Sequence, residues 1–485
     1  MTRRRANTIE RGGNVMRYAL TVLLLLIGTP QFSLTRANTG QVPAKSKRPN
    51  VIVVLVDDLG YADFSSYGGT RVKTENIDRL AAEGIRFAQY YVNSPICSPS
   101  RTALTTGQYP ARWRITSYID NREMNNRRRM AQFLDPAAPT LARFLSRGGY
   151  RTGHFGKWHM GGGRDVGEAP LISAYGFDAS LTQFEGLGDR VLPIFDAHDG
   201  TPPHKAGHGV ASERLGRGKI TWLDRCQVTR AFVERTLDFI KGAETQGKPF
   251  YVNVWPDDVH SPFFPPKELR GDGSKHALYD GVLKNMDAQL GPLFDYVRGN
   301  PRLRDNTIIL VTSDNGPELG AGSAGSFRGA KGKLYEGGVR DPLIVWGPGF
   351  IPVKKRGTWD KTTVLSAVDL VPSLLRIAGV VPRPTANFDG VEMGTALMGE
   401  AAGARSKPLF WKRPPDRPGP AEDAWPDLAV RDGEWKLLIQ EDGSRPQLYN
   451  ILNDPSESAN LASQRPDVAK RLGKFVLAWN ETLPK

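Results

Sequence analysis

The chain has 485 residues, 39% hydrophobic and 24% charged, which excludes a disordered or fibrous protein and leaves enough length for a large core. Its formal charge is +14; residues 1–37, with six arginines and one glutamate, carry +5 of it and the rest of the chain +9, an excess that favours anionic partners. Two cysteines, Cys97 and Cys226, permit at most one bridge, so a disulfide framework is excluded.

In chain order, the first segment to read is "MRYALTVLLLLIGTPQFSLTRA", with a basic start at Met16, an apolar run from Tyr18 to Ile27 and a polar end at Ala37. This is the pattern of a secretory signal peptide cleaved after Ala37, and its apolar run is too short for a membrane span. No cysteine stands at the cleavage site to carry a lipid anchor. The mature chain is therefore expected to be exported, periplasmic or secreted, with no transmembrane anchor. Export and the lack of a recognition motif argue against nucleic acid as a partner.

The mature chain alternates predicted strands and helices. "NVIVVLVDDLG" (50–60) is a β-branched apolar run ending in Asp57 and Asp58, and "NTIILVTSDNG" (306–316) repeats the design with Asp314 and Asn315. Open α/β sheets build sites at such carboxyl ends. "NIDRLAAEGIRF" predicts an amphipathic helix followed by a loop holding Cys97. "RTGHFGKWHMG" predicts a strand entering a Lys157-Trp158-His159 turn, and "PFYVNVWPDDVHSPF" a strand running to His260. "TVLSAVDLVPSLLRIAGV" predicts a helix. Beyond the Pro- and charge-rich stretch 412–427, short strands and a terminal helix close the chain. The expected fold class is α/β: signal peptide 1–37, a large catalytic domain 38–406 and a small C-terminal subdomain 407–485 with a few antiparallel strands and a helix.

Two pairs of hard oxygen ligands at equivalent strand ends suit Ca²⁺ or Mg²⁺ and suit zinc poorly. His198, His204 and His208 match no zinc spacing and read as a surface loop. "NREMNNRRRM" (121–130) reads as a solvated loop or as an arm in which Arg127, Arg128 and Arg129 hold an anionic polymer.

Cys97-Ser98-Pro99-Ser100-Arg101 followed by "TALTTG" resembles the signature of the type I sulfatases, a group with arylsulfatases and N-acetylgalactosamine-6-sulfatases among its members. The likeness continues through "VDDLGYADFSSYGG", "GYRTGHFGKWHMGG", "VHSPFFPP", "TSDNG", "KGKLYEGGVRDP" and "QLYNILNDPSESANLA", about residues 48–465. It implies an alkaline-phosphatase-like fold, a large mixed sheet sandwiched by helices with a small C-terminal antiparallel sheet. It also implies hydrolysis of sulfate esters by a nucleophile made from Cys97, which a maturation enzyme oxidises to Cα-formylglycine (3-oxoalanine) during export. Asp57, Asp58, Asp314, Asn315 and the modified Cys97 would hold one Ca²⁺. Arg101 would brace the formylglycine, and Lys157 the formylglycine and the sulfate. His159 would take a proton as the hemiacetal collapses, His260 and Lys331 would bind sulfate and protonate the leaving oxygen, and Asp314 would serve as base. Lys331 rather than Lys333 fits the family's lysine position, with Ala330 in place of the usual first glycine. The expected substrate is a sulfated carbohydrate or an aryl sulfate. Two alternatives remain: a phosphonate or phosphate ester hydrolase on the same scaffold, and a non-catalytic binder of sulfated glycans.

Overall fold

The computed structural model describes residues 48–413 and 426–484, and the signal-peptide reading lies outside them. Twelve strands form one sheet. They are β1 (Asn50–Val56), β2 (Ile85–Tyr91), β3 (Arg151–Gly156), β4 (Ala179–Thr182), β5 (Arg190–Phe195), β6 (His204–Lys205), β7 (Ile220–Asp224), β8 (Phe250–Trp255), β9 (Thr307–Ser313), β10 (Arg340–Trp346), β11 (Thr358–Asp360) and β12 (Leu365–Ser366). The main order is β11-β2-β10-β9-β1-β8-β3-β4-β5-β6, with β12 beside β2 and β7 beside β5. From β9 to β5 neighbours run parallel, whereas β10 is antiparallel to both β9 and β2. The sheet is mixed, as expected.

All seven residues of β1 and of β9 are buried, the mark of strands covered on both faces. The period of two divides β1 between two cores. Val51, Val53 and Leu55 join a cluster with Leu141 and Leu145 and with Leu370 and Leu374, from helices Leu141–Arg147 and Ala367–Ile377. Ile52, Val54 and Val56 join Ile77, Phe232 and Leu290, from helices Glu75–Glu83, Val228–Thr245 and Lys275–Gly299.

Register then places the polar strand ends together. Val56 pairs with Ser313, so Asp57 and Asp58 stand beside Asp314 and Asn315. Gly156 pairs with Trp255, which brings Lys157 to the same end of the sheet.

A second, four-stranded antiparallel sheet consists of β13 (Leu409–Lys412), β14 (Leu428–Asp432), β15 (Trp435–Ile439) and β16 (Gln447–Asn450). Helix Pro466–Glu481 covers it with Val468, Leu472, Val476 and Trp479, one face at helical spacing. The two sheets are joined by a buried polar cluster. Lys436 Nζ lies 2.9 Å from Glu336 Oε1 and 3.0 Å from Glu457 Oε1. The Tyr91 hydroxyl donates to Glu336 at 2.6 Å.

Several expectations change. Cys97 does not sit in a loop: it begins the helix Cys97–Thr106, whose ten residues are all buried. The helix predicted across "NIDRLAAEGIRF" stops at Glu83, and Ile85-Arg86-Phe87 belong to β2. Gly84 marks the break, since a Cβ there would lie 2.3 Å from the Val345 carbonyl oxygen. The strand before His260 ends at Trp255. Residues 185–220, for which no element is predicted above, contain β5, β6 and the helix Gly207–Arg214, and β7 begins at Ile220. Among the described residues no helix is long and apolar enough to cross a membrane.

Candidate active site

The strand ends open into a cavity of about 560 Å³ lined by Cys97, Lys157, His159, His260 and Lys331 among others. Beneath its floor lie Asp57, Asp58, Arg101, Asp314 and Asn315, each fully buried. The ten residues singled out in the sequence thus converge on one place, although they come from six separate segments.

Cys97 is the first residue of its helix and Arg101 lies one turn later on the same face. The Cys97 Sγ is 3.9 Å from Asp58 Oδ1. Both cysteines are free, so no bridge joins Cys97 to Cys226. Burial pushes the Cys97 thiol well above its ordinary value, with Lys157 opposing and Asp57 and Asp314 adding to the rise. An unmodified Cys97 is therefore held as a thiol, a poor nucleophile.

Arg101 ties the floor together. Its Nε donates to Asp314 Oδ2 at 3.0 Å, its Nη2 lies 3.1 Å from Asp57 Oδ1, and its Nη1 donates to the Lys157 carbonyl at 3.0 Å. Lys157 pairs with Asp57 and Lys331 with Asp58. Burial would raise the Asp57 carboxyl, but Lys157 and Arg101 hold it well below the usual range. Asp58 is opposed by burial in the same way yet is held at about 2 by Lys331 and His260. Asp314 is pushed up to about 7 by burial and by Asp57, with Arg101 opposing. Asp58 and Asp57 are thus ready anionic ligands.

Asn315 Nδ2 donates to Asp58 Oδ1 at 2.8 Å, while its buried carbonyl Oδ1 has no partner. An orphaned buried oxygen beside three carboxylates is a donor set for a hard divalent cation. Carboxylate oxygens of Asp57 and Asp314 also lie within 4.8 Å of each other and of the Cys97 sulfur, and those of Asp58 similarly meet Cys97 and His260. The residues present fit a bound Ca²⁺.

The two histidines differ. His159 is buried with φ 51°, its Nε2 is 3.3 Å from the Ile119 carbonyl and its Nδ1 has no partner. Burial drives its pKa well below the ordinary value, with Lys157 and Arg164 adding to the fall, so the ring is neutral. His260 Nε2 is 3.6 Å from Asp58 Oδ2. Its pKa is also lowered by burial, though Asp58 opposes this.

Other residues in and around the cavity carried no signal in the sequence. Glu318 Oε2 stands 3.4 Å from the Lys331 ammonium. Arg225 is clasped by Asp257 at 3.1 Å and Asp258 at 2.8 Å, next to His260. Arg164, between Asp120 and Glu185, forms part of one wall. His208 also lines the cavity, its ring 5.9 Å from that of Phe184, and His204 belongs to β6, so of the three only His198 keeps the surface-loop reading. Arg128 is not part of an exposed arm: its guanidinium lies 4.4 Å over Tyr118 and donates to the Tyr118 hydroxyl at 2.9 Å. The contacts of Arg225 and Arg164 join segments that follow different strands, so no local spacing announces them.

The family model for sulfatases matches residues 49–380. Bovine (Bos taurus) arylsulfatase A is 30% identical over 481 residues, covering 90% of this chain and 88% of that protein. The N-acetylgalactosamine-6-O-sulfatase of Bacteroides thetaiotaomicron is 28% identical over 504 residues, covering 89% and 93%. The crystal structure of Ps i-CgsB in complex with k-i-k-neocarrahexaose superposes with a TM-score of 0.72 at 26% identity, over 89% of this chain and 93% of that one. With its mixed sheet, its carboxylate-lined floor and these likenesses along most of its length, the chain belongs to the sulfatase family, the sulfuric ester hydrolases.

Proposed function

We propose that this chain is an exported enzyme that hydrolyses sulfate esters of carbohydrate, using a hydrated formylglycine made from Cys97 and a Ca²⁺ held by Asp57, Asp58, Asp314 and Asn315. The observation that carries the reading is Cys97 itself, buried at the cavity floor 3.9 Å from Asp58 in an environment that keeps it a thiol. A cysteine so placed gains a use when converted to an aldehyde, whose hydrate supplies an attacking hydroxyl and a second one for release of sulfate. A bound Ca²⁺ supplies Lewis-acid stabilisation of charge on the sulfuryl oxygens. The named relatives act on sulfated compounds, an N-acetylgalactosamine 6-O-sulfate among them, which favours a sugar sulfate as substrate.

The chain's own residues take the remaining roles. Arg101, anchored on Asp57 and Asp314, orients the side chain at position 97 from one helical turn away. Lys157 and Lys331 present ammonium groups where negative charge grows on sulfate oxygens. Neutral His159, with a free ring nitrogen, accepts a proton, and His260 with Lys331 delivers one to the leaving oxygen. Asp314, whose Oδ2 accepts from Arg101 at 3.0 Å, serves as base for the attacking hydroxyl.

The test is the mass of tryptic peptide Phe87–Arg101 from protein made in its native host, with turnover of 4-nitrophenyl sulfate and 4-nitrophenyl phosphate measured on the same sample. An aldehyde at position 97 together with faster sulfate release is the expected result. An intact thiol in a sample that still turns over sulfate ester would overturn the nucleophile. Preference for the phosphate would favour the phosphoesterase alternative, and glycan binding without turnover by an aldehyde-bearing sample would favour a binder.

A further inference from the structure

The wall of the cavity next to the sulfate-binding lysine contains a clamp that no part of the reaction described above uses. Arg164 donates from Nε to Glu185 Oε1 at 2.6 Å and from Nη1 to Asp120 Oδ1 at 2.5 Å. Asp120 Oδ2 is 3.9 Å from Arg128, which is stacked on Tyr118. Arg164, Glu185 and Tyr118 all line the cavity.

Two further observations separate this cluster from ordinary surface pairing. Arg164 and Glu185 both hold left-handed backbones, with φ of 54° at each. Non-glycine residues in that region cost free energy and gather at functional sites. His159 in the cavity and Asp58 beneath its floor share the feature with φ of 51° and 58°. Phe184, moreover, bridges the clamp and the sulfate site. Its ring lies 5.5 Å from the Lys157 ammonium and 5.9 Å from the Arg164 guanidinium, and its carbonyl accepts from the His159 amide at 3.1 Å. Phe184 thus links the Lys157 ammonium to Arg164 along one side of the cavity.

The hydrogen-bonding inventory decides what Arg164 can receive there. Two of the three Arg164 nitrogens already donate to carboxyl groups, which offset the guanidinium charge that a second sulfate or a carboxylate would need. An arriving anion would reach the remaining N–H groups only alongside Glu185 and Asp120, carboxyl groups that disfavour it. A hydroxyl satisfies both partners at once, accepting from Nη2 and donating to a carboxylate. The apolar residues Phe184, Leu192, Pro193 and Phe195, on the same cavity lining, suit the C–H face of a sugar ring.

Resting on the sulfatase reading, the geometry points to Arg164, positioned by Glu185 and Asp120, as the specificity-determining residue that reads a free hydroxyl beside the sulfated position of an otherwise uncharged sugar. The enzyme thus selects a monosulfated neutral sugar unit over a multiply sulfated or uronate-bearing one. Of the three arginines expected to hold a polyanion, Arg128 serves the clamp through Asp120 and Tyr118, whereas Arg127 and Arg129 are exposed.

The experiment compares kcat/KM on a panel of methyl hexopyranoside and N-acetylhexosaminide monosulfates, their disulfated counterparts and 4-nitrophenyl sulfate. In the unaltered enzyme the best monosulfate is expected to exceed its disulfate at least tenfold. Replacing its nearest free hydroxyl by hydrogen should cost at least another tenfold. In Arg164→Gln the ratio of sugar sulfate to aryl sulfate turnover should fall by about tenfold or more. The deoxy comparison uses the native protein, so it stands even where the variant folds poorly. Preference for the disulfate, no effect of the deoxy substitution, or an unchanged ratio in Arg164→Gln would each overturn the inference. Aryl sulfate turnover without any panel sugar would overturn it while leaving the sulfatase reading intact; no turnover of any ester would remove that reading and the inference with it.

Discussion

Arg101 shows how one side chain organises the candidate site. Fully buried, it faces Asp57 and Asp314 and lies 5.4 Å over the Trp255 ring. Removing one partner of a buried ion pair leaves charge stranded without water. Arg101→Met should therefore destabilise the fold by roughly 3–5 kcal/mol in denaturant titrations as well as abolish turnover. A loss below about 1 kcal/mol would show that the two aspartates find other partners. At this scale the motif was legible: cysteine and arginine four apart, aspartate pairs after apolar runs, histidine two after lysine. Glu318, Arg225 and Arg164 were not, because their identities are ordinary and only their neighbours make them polar contacts of a cavity.

Local propensity misled at the element that matters most. A Cys-Ser-Pro-Ser-Arg-Thr stretch is poor in helix formers, yet it begins a ten-residue helix. Proline is tolerated at the third position of a helix, where its missing N–H has no intrahelical partner to lose. Burial of the whole element, with packing against helix Ala367–Ile377, then outweighs propensity. The junction of the two sheets is governed by similar tertiary contacts. Burial would raise Glu336, but Lys436, Arg340 and Arg431 hold it at about 2, below the ordinary 4.5. Its stabilisation is complete above pH 4.5 and is lost as pH falls toward 2. Glu457 goes the other way, pushed up to about 7 by burial and by Glu336 with Lys436 opposing. From pH 4.5 upward the unfolded chain releases this proton before the folded one does, and stability declines until about pH 7. Glu457→Gln should remove that decline, so the Tm of the wild type should fall relative to the variant across this window. Parallel Tm curves would sink the assignment.

For the whole molecule, the carboxylate floor links β1 to β9 and, through Lys157, to the end of β3. A cation bound there and absent from the unfolded chain adds stability by mass action, about 2.7 kcal/mol at a free concentration a hundredfold above Kd. Chelator-treated protein should lose turnover and melt earlier, and added Ca²⁺ should restore both. Unchanged melting with and without Ca²⁺ would count against the ligand set. Class and layering of the fold were readable, since runs such as "NVIVVLV" and "TIILVTS" state their burial through composition alone. Alternating such runs with amphipathic helices leaves few architectures open. Strand order was not readable, because β10 inserts between β2 and β9 against the parallel direction and nothing local in its sequence records its neighbours. By itself, then, the amino-acid sequence determined the kinds of element and the reactive groups at their ends, which follow from hydrophobic period and side-chain chemistry. Only the tertiary structure decided that Cys97 rides a buried helix and that Arg164 meets Glu185 and Asp120 in the cavity wall. Those outcomes depend on the register and packing of segments distant in the chain, information that resides in no single stretch.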